Sequence, residues 1–269
     1  MPEKRIKLDR VSVLFSGGMA KLTLGVGRDG TQLVIRELLR RNLFRFRVHC
    51  GFVRGTHVRQ QLSSHPNIVA SVERGYTGLM PYEIIEYVPG SNLRKMIQTR
   101  NPKIRQNSIE ILRQAAVALA HVHANGIIHL DIKAENLLVD TTDAKIVVKL
   151  TDFDLSRDAH STRLRRCGGT EVYMAPEQLR HGQLGPEADI FSFGVMAYDL
   201  VTGRMPFQGK TRRERRWQQM SESFKVTEPI ALAPDLAPKL NWLILRCLEK
   251  NPVKRLPSMS YLCKELRKF

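Results

Sequence analysis

The chain has 269 residues and carries 43 Lys and Arg against 26 Asp and Glu, a formal charge of +17. Its length suits a single unit spanning residues 1–269 with a core of its own, no apolar run reaches the roughly 18 residues of a membrane span, and the start MPEKRIKLDR lacks a signal peptide's apolar core. Cys50, Cys167, Cys247 and Cys263 form no CxxC pair, which argues against a zinc site or a disulfide framework, so an intracellular protein, cytoplasmic or nuclear, with reduced thiols is expected. The positive charge would draw acidic substrates, nucleic acid or anionic surfaces, but it is scattered, with clusters at Arg40 to Arg54, Arg163 to Arg166 and Lys210 to Arg216, which makes a dedicated nucleic-acid groove the weaker reading.

From about Leu8 to Ile85 apolar and polar residues alternate with Gly punctuation, as in Leu22-Thr23-Leu24-Gly25-Val26 and Gln32-Leu33-Val34-Ile35-Arg36, which predicts antiparallel strands. Within this stretch Phe44-Arg45-Phe46-Arg47 interleaves rings and charges. The rings are expected in the core and the arginines in water, with stacking on bases as the competing reading. Glu86-Tyr87-Val88-Pro89-Gly90 ends an apolar strand in a turn. From Ser91 onward the period becomes helical: Ile109, Leu112, Ala116, Leu119 and Val122 predict a helix ending near Asn125-Gly126. Later helices are expected at Ile190 to Val201, Leu240 to Glu249 and Met259 to Arg267, interrupted by Pro252 and Pro257, with Lys210 to Trp217 as a solvated helix or import patch.

The stretch from His129 to Glu177 carries the chemistry. It reads His129-Leu130-Asp131-Ile132-Lys133-Ala134-Glu135-Asn136, then Thr151-Asp152-Phe153-Asp154, then Gly169-Thr170 through Ala175-Pro176-Glu177. Asp131 could orient a hydroxyl and accept its proton, with Lys133 beside it. Asn136 and Asp152 offer hard oxygens to magnesium, and an apparent turn at Thr141-Thr142-Asp143 lets a hairpin bring the two together.

In order and spacing these pieces resemble the eukaryotic protein kinase family over nearly the whole chain, and Lys133 with Thr170 resembles its Ser/Thr-directed branch. The resemblance implies a bilobal α+β fold: an N-lobe of antiparallel strands with one helix (about 8–85), a hinge (about 86–91) and a mainly helical C-lobe (about 92–269). It implies ATP with Mg2+ or Mn2+, catalytic roles for Asp131, Lys133 and Thr170, metal ligation by Asn136 and Asp152, and a protein substrate. Ile85 falls at the gatekeeper position, and Glu86 and Val88 would offer backbone groups to adenine. Glu177 and Arg255 resemble the ion pair that ties the activation segment to the C-lobe, and Asp189 the helix-start carboxylate that holds the catalytic loop.

The N-lobe departs from the pattern. In Leu14 to Leu22, Gly17 alone of the usual three glycines is in register, followed by Gly18, and Phe15 and Ala20 would limit approach to phosphate. Arg36 stands where the family has its ATP-anchoring lysine. No Asp or Glu occurs between Arg41 and Val72, so the usual helix glutamate is missing, with Gly55 or Thr56 near its position. Glu37 points to the wrong face for Arg36, while Glu73 and Glu83 remain candidate partners. Lys21 could anchor the phosphates as the relocated lysine of the no-lysine kinases does, although a solvated strand lysine is favoured. Leu130 replaces the arginine that would read a phosphate at Ser161 or Thr162, and Asp154, replacing the glycine after Phe153, is expected in solvent rather than on a metal.

Two functions compete: a Ser/Thr protein kinase with an atypical nucleotide grip, which is favoured, and a pseudokinase acting as scaffold or allosteric partner. A nucleic-acid-associated protein on a kinase scaffold is a third, weaker reading. A substrate acidic around its phosphoacceptor and a regulatory protein partner supplying the missing small-lobe contacts are further expectations.

Overall fold

The computed structural model describes residues 6–62, 65–143, 145–159, 161 and 169–269. Thr162, Cys167 and the Arg163 to Arg166 cluster lie outside the described residues. In chain order the N-lobe comprises β1 (Asp9–Ser16), β2 (Ala20–Val26), β3 (Gln32–Leu38), α1 (Phe46–Leu62), β4 (Ser71–Thr77) and β5 (Met80–Glu86). The C-lobe continues through β6 (Ser91–Asn92), α2 (Leu93–Gln98), α3 (Pro102–Gln106), α4 (Ser108–Ala124), β7 (Ile127–Ile128), β8 (Leu137–Asp140), β9 (Val147–Leu150) and β10 (Arg157–Asp158). It ends with α5 (Pro176–Leu179), α6 (Pro186–Thr202), α7 (Arg212–Met220), α8 (Pro229–Leu232), α9 (Pro238–Cys247) and α10 (Met259–Leu266). The fold is bilobal α+β.

The N-lobe sheet is antiparallel in the order β1-β2-β3-β5-β4. Its middle strand, β3, is apolar on both faces. Leu33 joins Tyr82 and Ile84 under Ile6 and Leu8 on one face, and Val34 joins Val69 and Ile85 with Leu22, Val88 and Leu138 on the other. Because side chains alternate along a strand, Arg36 shares the face of Val34, and in register it lies opposite Leu22 on β2 and Glu83 on β5.

The C-lobe core is built around α4 and α6. On α4 the residues Ile111, Leu112, Ala115, Leu119 and Val122 recur at helical spacing and are buried, and Gly126 at φ 69° stops the helix in the left-handed region. Helix α6 opens with Pro186 at its first turn and is buried from Ala188 to Leu200. Each fully buried side chain there, such as Ile190 or Phe191, stabilises the fold by roughly 1.5–3 kcal/mol.

One expectation fails. Phe44 and Phe46 do not enter the core, being 92% and 73% exposed. They stand in the turn between a 3-10 segment, Arg40–Asn42, and the first residue of α1, so the alternation of a strand never turns them inward. Arg45 and Arg47 are exposed beside them.

Candidate functional site

The catalytic-loop backbone hangs from one carboxylate. Asp189, buried in the first turn of α6, accepts the N–H groups of His129 and Leu130, each at 2.8 Å, and contacts His123 Nε2 at 2.9 Å. This fixes Leu130 at φ 65°, an angle costly for a leucine, with its side chain buried. Burial lowers the pKa of His129 against the pull of Asp189, Asp131 and Asp152. The bonds assign its neutral tautomer: Nε2 donates to Thr151 O at 3.2 Å and Nδ1 accepts Asp131 N–H at 3.3 Å.

Asp131 sits at the centre of the cleft. Lys133 Nζ donates to its Oδ2 at 2.6 Å and to Thr170 Oγ1 at 3.0 Å, and Thr170 N approaches Asp131 Oδ1 at 3.3 Å. Asn136 Nδ2 donates to Asp131 O at 2.8 Å and to Oδ2 at 3.1 Å, so Asn136 Oδ1 accepts nothing from the described residues. The β8–β9 hairpin carries Asn136 and Asp152 to the same place, where Thr151 N donates to Asn136 O at 3.0 Å. Asp152 takes φ 64°, so the unusual backbone angle falls there and not on Asp154. Burial would raise Asp152, but the charges of Arg36, Lys133 and Arg59 outweigh it and hold the carboxyl below its ordinary value. An ionised carboxylate beside an unoccupied amide oxygen is a donor set suited to a hard divalent cation.

Behind this cleft lies a buried ion cluster. Arg36 Nη2 donates to Asp154 Oδ2 at 2.5 Å, and its guanidinium stands 3.7 Å from Glu83, 4.0 Å from Asp152 and 4.3 Å above the Phe52 ring. Glu83 accepts Arg59 Nε at 3.0 Å, and Arg59 Nη1 donates to Thr151 Oγ1 at 2.9 Å. Burial disfavours the Arg36 charge, yet Asp154, Asp152 and Glu83 prevail and raise its pKa. Asp154 is therefore not in solvent as expected; it is 1% exposed and occupied by Arg36. Of the candidate partners for Arg36, Glu83 is near, whereas Glu73 accepts Tyr82 Oη at 2.5 Å and Ile6 N at 2.7 Å. Glu37 lies on the opposite face and pairs with Arg10.

The remaining residues expected on the nucleotide side fall into two groups. Leu22, Val34, Ile85, Val88 and Leu138 belong to one apolar cluster, and the backbone of Val88 makes no hydrogen bond to another described residue. Glu86 N donates to Ala70 O, while its carboxylate accepts Ala70 N at 3.1 Å and pairs with Lys149 at 2.6 Å. In the loop between β1 and β2, Arg41 donates to Gly17 O at 2.9 Å and Asn42 to Gly18 O at 2.8 Å and Met19 O at 3.1 Å. Because a trans peptide opposes its C=O and N–H, this turns the N–H groups of Gly18 and Met19 to the other side of the loop. The Phe15 ring lies so close to Gly17 that a Cβ there would overlap it, whereas Gly18 is open. Lys21 is the one predicted anchor the fold does not bring in: it lies opposite Glu37, on the sheet face away from Leu22 and Arg36.

On the C-lobe side, Arg255 meets Glu177 through two bonds of 2.6 and 2.8 Å. Helix α7 clamps the segment after Thr170, with Gln219 donating to Glu171 O at 2.9 Å and Met174 O at 3.1 Å and Arg212 Nε to Glu171 Oε2 at 2.6 Å. Arg94, which the sequence did not single out, donates to Tyr173 Oη and pairs with Asp199 at 2.8 Å and Glu135 at 3.5 Å. Glu83 between Tyr82 and Ile84 puts a charge into an apolar stretch, and buried charges come in pairs, whereas Asn42, Arg59 and Arg94 lie in polar surroundings that left no signal.

The protein kinase domain matches residues 11–266. The chain is 34% identical over 200 residues to the serine/threonine-protein kinase PknB of Mycobacterium leprae, covering 71% of this chain and 31% of that protein. It is 33% identical over 207 residues to a probable serine/threonine-protein kinase of Clostridium acetobutylicum (76% and 31%), and 32% identical over 192 residues to the serine/threonine-protein kinase PknL of Mycobacterium tuberculosis (70% and 47%). The chain thus spans about a third of the length of the first two relatives. The matched span takes in both lobes and every group around Asp131, and the chain belongs to the protein kinase domain family, on its serine/threonine side.

Proposed function

We propose that the protein is a Ser/Thr protein kinase that moves the γ-phosphoryl group of ATP to a protein hydroxyl. The observation that carries this reading is the cluster of Asp131, Lys133 and Thr170 within hydrogen-bond reach of one another, beside the unoccupied oxygens of Asn136 and Asp152. ATP bound with Mg2+ or Mn2+ supplies the phosphoryl group and the charge neutralisation its transfer needs. Asp131 orients the attacking Ser or Thr hydroxyl and takes its proton as the new bond to phosphorus forms. Lys133, held by Thr170, offers its ammonium to the charge that develops on the transferred group. Asn136 and Asp152 would hold the cation, the apolar cluster around Val34 and Ile85 with the Glu86 and Val88 backbone would take the base, and the loop at Gly17 and Gly18 with Arg36 would face the phosphates. Lys21 has no part in this arrangement.

The substrate is proposed to be acidic around its phosphoacceptor. Helix α7 carries Arg212, Arg213, Arg215 and Arg216 and is fastened to the segment that holds Thr170, so basic side chains flank the place where a substrate hydroxyl must lie. Arg213 is exposed and has no ion pair among the described residues.

Purified protein incubated with labelled ATP, Mg2+ or Mn2+ and Ser/Thr peptides of acidic and basic composition tests the reading. Metal-dependent transfer that disappears in Asp131→Asn is expected. A folded wild type that transfers no more label than Asp131→Asn would overturn it in favour of the scaffold reading, for which the committed guanidinium of Arg36 is the physical basis.

A further inference from the structure

The family's usual pairing of a strand cation with a carboxylate on α1 has no counterpart in this helix, because none of the residues from Phe46 to Leu62 is acidic. We infer that Asp154 supplies that counter-charge from the turn after Phe153, and that Gly55 is glycine because the Asp154 carboxylate fills the volume beside it.

Three observations carry this. Asp154 Oδ2 is 2.5 Å from Arg36 Nη2, across 118 residues of sequence, and both side chains are buried. A Cβ on Gly55 would overlap Asp154 Oδ1 and stand 3.0 Å from its N and Cα, so side chain and carboxylate cannot share the site. One turn earlier, a Cβ on Gly51 would lie 3.2 Å from Asp154 O, the oxygen that accepts Arg54 Nη2 at 2.7 Å. Two glycines spaced by four residues fall on one helix face, and this face lays bare backbone on Asp154. Glycine is a poor helix former, so its repeated use where the carboxylate lands answers to a packing demand. The alternative partner, Glu83, is 3.7 Å from Arg36 and already holds Arg59 at 3.0 Å.

The arrangement makes Asp154 a positioning residue. It fixes Arg36 beside Asp152, at 4.0 Å, and docks α1 against the metal-binding segment without a partner protein having to complete the small lobe. The consequence for nucleotide rests on the kinase reading above; the pairing itself does not.

The test is a double-mutant cycle on the whole chain with two readouts, thermal midpoint without nucleotide and affinity for Mg-ATP measured well below that midpoint. Asp154→Gly strands a buried guanidinium and is expected to lower Tm by on the order of 10 °C. Gly55→Ala is expected to lower Tm in the native background and to cost less in Asp154→Gly. The swap Asp154→Gly with Gly55→Glu, which moves the carboxylate to the helix, should recover part of the loss. Asp154→Asn, which keeps the shape, is expected to weaken Mg-ATP binding about tenfold, a change that a purely structural role would not produce. Additive Tm effects at positions 55 and 154, or an Asp154→Gly variant as stable as wild type, would overturn the pairing. Unchanged Mg-ATP affinity in Asp154→Asn would overturn the positioning role. If wild type binds no nucleotide, the kinase reading and the positioning role fail together while the Tm cycle still decides the pairing.

Discussion

Two buried charge sites, one around Arg255 and one around Arg36, are satisfied to different degrees. In the C-lobe, Arg255 meets Glu177 through a bidentate pair and also donates to Glu249 O at 2.9 Å and Glu187 O at 2.7 Å, so each guanidinium nitrogen has a partner. Where the lobes meet, Arg36, Arg59 and Glu83 of the N-lobe share charge with Asp154 of the C-lobe in a cluster in which Arg36 Nη1, Glu83 Oε2 and Asp154 Oδ1 make no hydrogen bond to a described residue. Buried polar groups are ordinarily satisfied, and an incomplete network is where a second arrangement or a ligand can act. The C-lobe pair is built to stay. The Arg36 cluster leaves three polar atoms open, and it lies beside Asp152.

This contrast can be broken in steps of decreasing size. Asp131→Asn removes the proton acceptor and is expected to lower kcat by about 10²–10⁴-fold with little change in fold, read by initial rates beside circular dichroism. Next comes Glu177→Gln, which leaves the fully buried Arg255 charge uncompensated and is expected to cost about 3–5 kcal/mol in a urea titration. Glu83→Gln should cost about 3 kcal/mol, at the low end of that range because the amide oxygen still accepts from Arg59. The double variant Arg59→Leu with Glu83→Leu is expected to be more stable than either single leucine variant, since an apolar pair leaves no orphaned charge. Equal or worse stability of the double variant would mean that the N-lobe ions are as well satisfied as those of the C-lobe. Smallest is Arg213→Glu, a rim charge expected to raise the KM of an acidic peptide by roughly tenfold at low salt and to do nothing to a basic one.

The sequence disclosed the C-lobe site because its chemistry is local. Asp131, Lys133 and Asn136 sit on one short loop, a four-residue strand follows to Asp140, and the β8–β9 hairpin returns the chain to Asp152. Thr170, Glu177 with Arg255, and Asp189 were expected from the resemblance of their motifs to the kinase family, and they contact Lys133, each other and the His129 backbone respectively. The N-lobe partner of Arg36 was not legible, since its identity depends on where α1 rests on a turn 118 residues away. Asp154 read as a solvated carboxylate because nothing in its neighbourhood of sequence announces Gly55. Lys21 stayed open between a phosphate anchor and the favoured solvated strand lysine because nearness along the chain does not reveal which face of β2 it takes; the register opposite Glu37 does. Phe44 and Phe46 read as core residues by alternation, a rule that lapses once the chain leaves the strand before α1.

The most direct test is a steady-state comparison of wild type, Asp131→Asn and Asp154→Asn with ATP varied at saturating Mg2+ and peptide. If the C-lobe carries the chemistry and Asp154 sets the nucleotide grip, Asp131→Asn lowers kcat at nearly constant KM for ATP, and Asp154→Asn raises that KM more than it lowers kcat. Equal loss of kcat in both variants with KM unchanged, or no transfer by wild type above Asp131→Asn, would contradict it.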